Sequence, residues 1–152
     1  MTLVGRFGNT TRRPYIEGRL VLPRLGVRVE ISFLVDTGAD QCVLMPADAK
    51  RASLDYSVLN PAVEVGGVGG SCEMHPEQGV AVFVEEDGTL QAYLVNVLIA
   101  KDDPQLMSTS SILGRAVIDR WMMTYDPSNT DLHFDVRSAD LTMPPPPIAT
   151  SP

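Results

Sequence analysis

The chain has 152 residues and 16.5 kDa, is 44% hydrophobic and 20% charged, and carries a net charge of −7 with a pI near 4.7. That is one domain with enough chain for a real core, since a domain of ~150 residues buries about 70% of its unfolded surface. The acidic balance argues against a nucleic-acid binder, which needs a basic face to neutralise phosphates.

The N-terminal stretch, residues 1–14, reads as an arm. Arginines cluster there and just beyond (Arg6, Arg12, Arg13, Arg19, Arg24, Arg28) without an aromatic ladder, so a solvated basic arm is expected. Met1 to Arg13 holds no apolar run of signal-peptide length. Tyr15 to Leu22 and Val27 to Val35 are β-prone and joined by Pro23-Arg24-Leu25-Gly26, the pattern of a hairpin. The second strand ends in Asp36-Thr37-Gly38. A buried strand that delivers a carboxylate to a partly desolvated place raises its pKa and allows proton sharing. Gly38 permits a tight turn with close backbone approach, and Thr37 supplies a hydroxyl that ties down neighbouring backbone.

Leu44 to Asp48 reads as a short strand end, with a helical turn over Ala47 to Ser53. Ala62 to Val65 and Cys72 to Glu77 flank a glycine-rich segment, Val65-Gly-Gly-Val-Gly-Gly-Ser71. Val80 to Val84 and Leu90 to Ile99 are the longest strand-like runs, separated by the turn Glu85-Glu86-Asp87-Gly88. Leu94 to Ala100 is strand-length, broken by Asn96, and no window approaches the ~20 apolar residues of a membrane helix. After Ser111-Ile-Leu-Gly-Arg115, Ala116 to Trp121 fits a short helix with Val117 and Trp121 on one face. Met122 to Tyr125 and Leu132 to Val136 read as a final hairpin around Asp126-Pro-Ser-Asn129. His133 falls on that last strand, where exposure or an ordinary hydrogen bond is expected. Residues 137–152, ending in a proline-rich tail, should be extended and disordered.

Three segments carry chemistry in one order: Asp36-Thr37-Gly38-Ala39-Asp40, then Gly66-Gly67-Val68-Gly69-Gly70, then Ile112-Leu113-Gly114-Arg115. In that order and spacing the chain resembles the retropepsins, the retroviral-type aspartic proteases and their cellular relatives, over roughly residues 15–136. The resemblance implies an all-β acid-protease barrel with a glycine-rich flap hairpin and one short C-terminal helix, closed as a symmetric homodimer. The chemistry needs two carboxylates on one water. Only one Asp-Thr-Gly occurs, so Asp36 of each subunit would meet at a twofold axis.

By the same resemblance Asp36, Thr37 and Gly38 are catalytic, and Gly66, Gly67, Val68, Gly69 and Gly70 form the flap over an extended peptide. Ala39, Asp40, Val43, Val68 and Ile112 would wall the substrate pockets, whose mostly apolar character implies hydrophobic residues beside the cut. Gly114, Arg115 and Asp40 would brace the active-site loop through an arginine–carboxylate pair. Two departures stand out: Ser71 follows the glycines where some retroviral flaps carry an aromatic, and Ala116 stands where the family usually has a polar residue.

No cofactor or metal is expected. Cys72 and His75 make half of a zinc-like spacing, but no second pair of ligands accompanies them. Cys42 and Cys72 are too few for a disulfide framework, which points to a reducing cytoplasm. The competing reading is a catalytically weak or inactive dimeric module that binds peptides with the same barrel. A third is a segment of a viral or transposon polyprotein.

Overall fold

The computed structural model describes residues 2–67 and 69–147. Its centre is a pair of nine-residue strands, β3 (Pro14–Leu22) and β4 (Val27–Val35), paired antiparallel from Tyr15↔Leu34 to Leu22↔Val27. In β4 every odd position is apolar and buried (Val27, Val29, Ile31, Phe33, Val35), while Arg28 and Glu30 face water. Side chains alternate between the faces of a strand, so this pattern fixes which side is core. Pro23 opens a 3-10 turn over Pro23–Leu25, and Gly26, in the left-handed region at φ 63°, closes it onto β4.

The remaining barrel strands are β5 (Cys42–Leu44), β7 (Gly70–Val84), β8 (Leu90–Ala100) and β9 (Ile112–Leu113), with β6 (Val63–Gly67) added to the free part of β7. The order is β8-β5-β9-β4-β3-β7, and β7 pairs back onto β8 over eleven registers from Met74↔Ala100 to Val84↔Leu90, closing the barrel. β9 runs parallel to β4, and β5 runs parallel to β8. Two short helices cap the barrel: α1 (Pro46–Arg51) and α2 (Arg115–Ile118). A second sheet is built from β1 (Thr2–Val4), β10 (Trp121–Asp126) and β11 (Asp131–Val136) in the order β1-β11-β10. The core between the sheets is aromatic. Phe83 and Phe134 both lie 5.0 Å from Trp121, ring centroid to centroid. The Trp121 Nε1 donates to Tyr93 Oη over 2.6 Å, and Tyr93 Oη donates to the Ser138 carbonyl, so the polar ends of both rings are satisfied in the interior.

The structure differs from the sequence expectation at both ends. The segment expected to be a solvated arm carries β1, paired with β11 from Thr2↔Asp135 to Val4↔His133, and β2 (Arg6–Phe7), paired with β3. Leu3 is 1% exposed, and burying one such side chain is worth about 1.5–3 kcal/mol, enough to hold a short strand in place. Three of the six arginines clustered there are paired with carboxylates: Arg6 with Glu17, Arg19 with Glu30 and Arg24 with Glu77. At the other end, β12 (Leu141–Met143) adds to the edge of β8, and Asp140 ties it by accepting from the Leu94 amide and pairing with Arg120. Residues 148–152 of the expected tail lie outside the described residues. Two further differences are local. The separate runs expected over Cys72 to Glu77 and Val80 to Val84 are one strand, β7, unbroken for 15 residues, and Trp121 begins β10 instead of ending the helix.

Candidate active site

Asp36 follows directly on β4, where the chain leaves the barrel. Its amide donates to the Leu113 carbonyl over 3.0 Å, continuing the β4–β9 ladder by one bond. Its side chain is half-buried, and Oδ1 accepts from the Gly38 amide at 2.8 Å, so the carboxylate is oriented by its own turn. Thr37 and Gly38 are exposed. The Ala39 amide closes the turn on the Asp36 carbonyl.

The start of α2 holds this loop from below. The amides of Arg115 and Ala116 donate to the carbonyls of Ala39 and Asp40 over 2.8 and 2.9 Å. Such close approach requires Gly114, because a β-carbon there would overlap the carbonyl of Gln41 and stand 2.9 Å from the Ala39 oxygen. The Arg115 guanidinium donates to Asp40 Oδ1, forming the expected pair. That pair is solvated: Asp40 is 80% and Arg115 48% exposed, so the charge interaction alone contributes little and the backbone bonds carry the bracing. The Ala116 substitution therefore costs the loop no backbone contact. Cys42 lies buried beside Gly114, and burial pushes its thiol pKa up.

Opposite the loop stands the hairpin of β6 and β7, paired from Val63↔Met74 to Gly67↔Gly70. Gly69 and Gly70 take φ of 97° and 124°, a region closed to most side chains, which explains glycine at this tip. Val68 lies outside the described residues. Val65 and Met74 rest on a small apolar cluster of Val43, Met45, Leu98 and Ala100.

Between loop and hairpin lies a cleft of about 700 Å³. Asp36, Gly38, Ala39, Asp40 and Val43 face it from the loop side, and Gly66 faces it from the hairpin. Gly67, Gly69 and Gly70 continue the hairpin beyond the cleft, and Ile112 packs in the apolar cluster one strand away. The cleft also takes in Gln41, Glu64 and Asn96, which the sequence reading did not place there. Asn96, interrupting the apolar run of β8, was their one legible sign. Val63, Val65, Pro76 and Leu98 line the cleft beside Val43, so it joins an apolar wall to the carboxylates of Asp36, Asp40 and Glu64.

A second surface adjoins the same loop. Thr37 shares a shallow pocket with Pro14, Val35, Met123 and Tyr125, and Tyr125 is 51% exposed with Phe7 stacked on its edge. The chain thus shows water an apolar patch right beside its Asp-Thr-Gly turn. Among the described residues no group of three or more His, Cys, Asp and Glu side chains is placed to hold a metal ion. Cys72 and His75 lie three apart on one strand, which turns them to opposite faces. Among the described residues no helix is long and apolar enough to cross a membrane.

A model of the aspartyl protease family matches residues 24–117, more than half of the chain, and the chain belongs to that family. Its fold is that of the retropepsins. It superposes on the crystal structure of a retropepsin-like aspartic protease from Rickettsia conorii with a TM-score of 0.57, at 18% identity over 88% of each chain. The EIAV protease in complex with the inhibitor HBY-793 matches at a TM-score of 0.42, with 23% identity over 74% of this chain and 90% of that one. No curated protein sequence matches.

Proposed function

We propose that the protein is an aspartic endopeptidase that works as a symmetric homodimer and cuts extended polypeptides with a water held between two Asp36 carboxylates. The observation that carries this reading is the position of Asp36. It stands at the mouth of a cleft under a glycine-rich hairpin, while Thr37 beside it opens onto the apolar patch of Met123 and Tyr125. Packing that patch against its own copy across a twofold axis would bury it and bring the two turns together.

Two carboxyl groups at hydrogen-bonding distance cannot both ionise cheaply, so they share one proton over an acidic window. The ionised Asp36 takes a proton from the water, which attacks the peptide carbonyl. The protonated Asp36 of the other subunit donates to the developing oxyanion, and a proton then passes to the leaving amine. Gly38 N–H, already on Oδ1, fixes which oxygen faces the water. The peptide would lie as an added strand between loop and hairpin, its backbone bonded by Gly66, Gly67, Gly69 and Gly70, which act as a flap. Ala39, Asp40 and Val43 would contact its side chains, with Ile112 supporting Val43 from behind. Asp40, Gly114 and Arg115 would keep the loop in place. The free thiols Cys42 and Cys72 fit a cytoplasmic setting, with neither nucleic acid nor membrane as partner.

The test is cleavage of an unbiased peptide mixture between about pH 3 and pH 8, wild type against Asp36→Asn. A bell-shaped, chelator-insensitive activity lost in the variant supports the dyad. Equal behaviour of two dimeric proteins would instead indicate a peptide-binding module.

A further inference from the structure

Glu77 is a carboxylate with only 3% exposure, placed midway along β7 where core packing alone has no need of charge. Arg24, from the turn between β3 and β4, forks onto it. Its Nε stands 3.1 Å from both carboxylate oxygens and one terminal nitrogen 2.5 Å from Oε1. The other terminal nitrogen of Arg24 donates to the Val58 carbonyl over 3.1 Å. Asn60 completes the knot: its Nδ2 donates to the Pro76 carbonyl at 2.9 Å and to Glu77 Oε1 at 3.3 Å, while its own carbonyl accepts from His75 Nδ1 at 2.7 Å.

The location gives these bonds their meaning. Residues 58–60 lead into β6, the first leg of the glycine-rich hairpin, and residues 75–77 are where its second leg joins the barrel. Both legs are therefore fastened at one point, to an arginine that belongs to the rigid β3–β4 hairpin. Just beyond the knot β8 still pairs Met74 to Pro76, and Val65 and Met74 rest on the apolar cluster; outside Met74 the hairpin is held lightly. Both flanks of β6 are mostly exposed, and the polar ties further out, Lys101 to Glu73 and Ser71 to Glu64, lie in solvent. Glu77 is buried although Arg24 is 46% exposed, so opening this forked pair strands a desolvated carboxylate, whereas pairs exposed on both sides exchange freely with water.

We propose that Arg24, Glu77 and Asn60 are positioning residues that anchor the flap: they fix its pivot on the barrel and so set how well it closes on a bound peptide. The proposal rests on the flap reading given above, and none of the three touches the cleft-facing carboxylate of Asp36. Loosening the pivot should add disorder to the open hairpin that peptide binding must then remove, weakening affinity without altering the chemical step.

Cys72 makes the idea measurable without activity. It is the exposed cysteine of the chain and sits on the hairpin opposite Val65, while Cys42 is buried with a raised thiol pKa. A nitroxide on Cys72 reports hairpin motion. In Asn60→Ala and Glu77→Gln, the spectral lines should narrow relative to wild type while thermal unfolding of the Asn60→Ala protein stays unchanged. In peptide cleavage both variants should show a KM raised about fivefold with kcat unchanged, the pattern of lost uniform binding. Unchanged line shapes in both variants would overturn the anchor, as would a fall in melting temperature with neither line shape nor KM altered. If the wild type cleaves nothing, the proteolytic reading fails, but the spectra still decide the anchor.

Discussion

The amide of Arg115 donates to the carbonyl of Ala39 over 2.8 Å, joining the first turn of α2 to the loop that carries Asp36. This bond exists because residue 114 has no side chain. Gly114→Ala would drive a methyl group into the Gln41 carbonyl, and backbone cannot yield as a flexible side chain can. We expect a destabilisation of roughly 1–3 kcal/mol and a loss of peptide cleavage larger than the stability change alone explains. Thermal unfolding and activity measured on one preparation separate the two. Full activity in a folded variant would show that the loop does not depend on this support.

Asp36→Asn should fold normally, since the Gly38 amide can still donate to the remaining amide oxygen. Cleavage should fall by about 100-fold to 10,000-fold, the range for a lost acid–base group. A quantitative peptide assay with matched circular-dichroism spectra checks both halves. Residual activity close to wild type would remove Asp36 from the mechanism.

Tyr125 offers a test of assembly. Tyr125→Asp places a charge on the apolar patch next to Thr37, where a partner copy would have to desolvate it. Sedimentation across a dilution series should show wild type dimeric at concentrations where the variant is monomeric, with activity lost in parallel. A variant that remains dimeric would place the subunit contact elsewhere.

His133 lies 2.7 Å from Asp131 Oδ1 on β11, and that hydrogen bond holds its pKa above the ordinary 6.5. Desolvation opposes the shift, and the charges of Asp131, Asp135 and Glu86 support it. A folded-state pKa above the unfolded one means the folded protein binds this proton more tightly. The resulting stability is complete below the unfolded value and is lost as pH rises through the folded one. His133→Asn should therefore lower the melting temperature more at about pH 5 than at about pH 8. An equal loss at both values would show that the pair contributes packing and no charge.

The cleft's polar wall bears on selectivity. Glu64 lines it as a carboxylate on the hairpin, and Gln41 Oε1 is buried there without a hydrogen-bond donor among the described residues. Both are groups that a donor-bearing substrate side chain would satisfy. In a competing peptide mixture read by mass spectrometry, Glu64→Gln should reduce any preference for cationic side chains by about two- to fivefold, the worth of a partly exposed charge pair. A profile of purely hydrophobic preferences, unmoved by the substitution, would leave Glu64 without a part in selectivity.

The parts legible in the sequence are those where local pattern and tertiary role coincide. Val27 to Val35 alternates cleanly, so its strand, its inner face and the position of Asp36 at its end all follow. The Ile112-Leu113-Gly114-Arg115 segment could be placed beside Asp36 through resemblance, although the reason for Gly114 appears only when the Gln41 carbonyl is seen against it. Leu3 and Leu141 escaped notice because a three-residue strand has too short a period to read, and its partner lies far off in sequence. The cleft's polar members were hidden for a related reason. Gln41, Glu64 and Asn96 come from three separate segments, and nothing local to any of them says that they converge. Glu77 is the clearest case: an acidic residue in a strand reads as solvent-facing until Arg24 and Asn60 are found around it.

β7 runs unbroken for 15 residues from the tip of the hairpin into the barrel wall. In mechanical terms it is a beam clamped by β8 from Met74 onward and by β3 over Val80–Val82, with a span from Gly70 to Glu73 of about 13 Å at ~3.3 Å per residue reaching beyond that clamp. Such a beam bends from the edge of its clamp. In the proposed closure its deflection would grow toward the free end, where the glycines sit, and vanish toward Phe83, deep in the clamp. The same strand would then serve the proposed flap at one end and the aromatic core at the other.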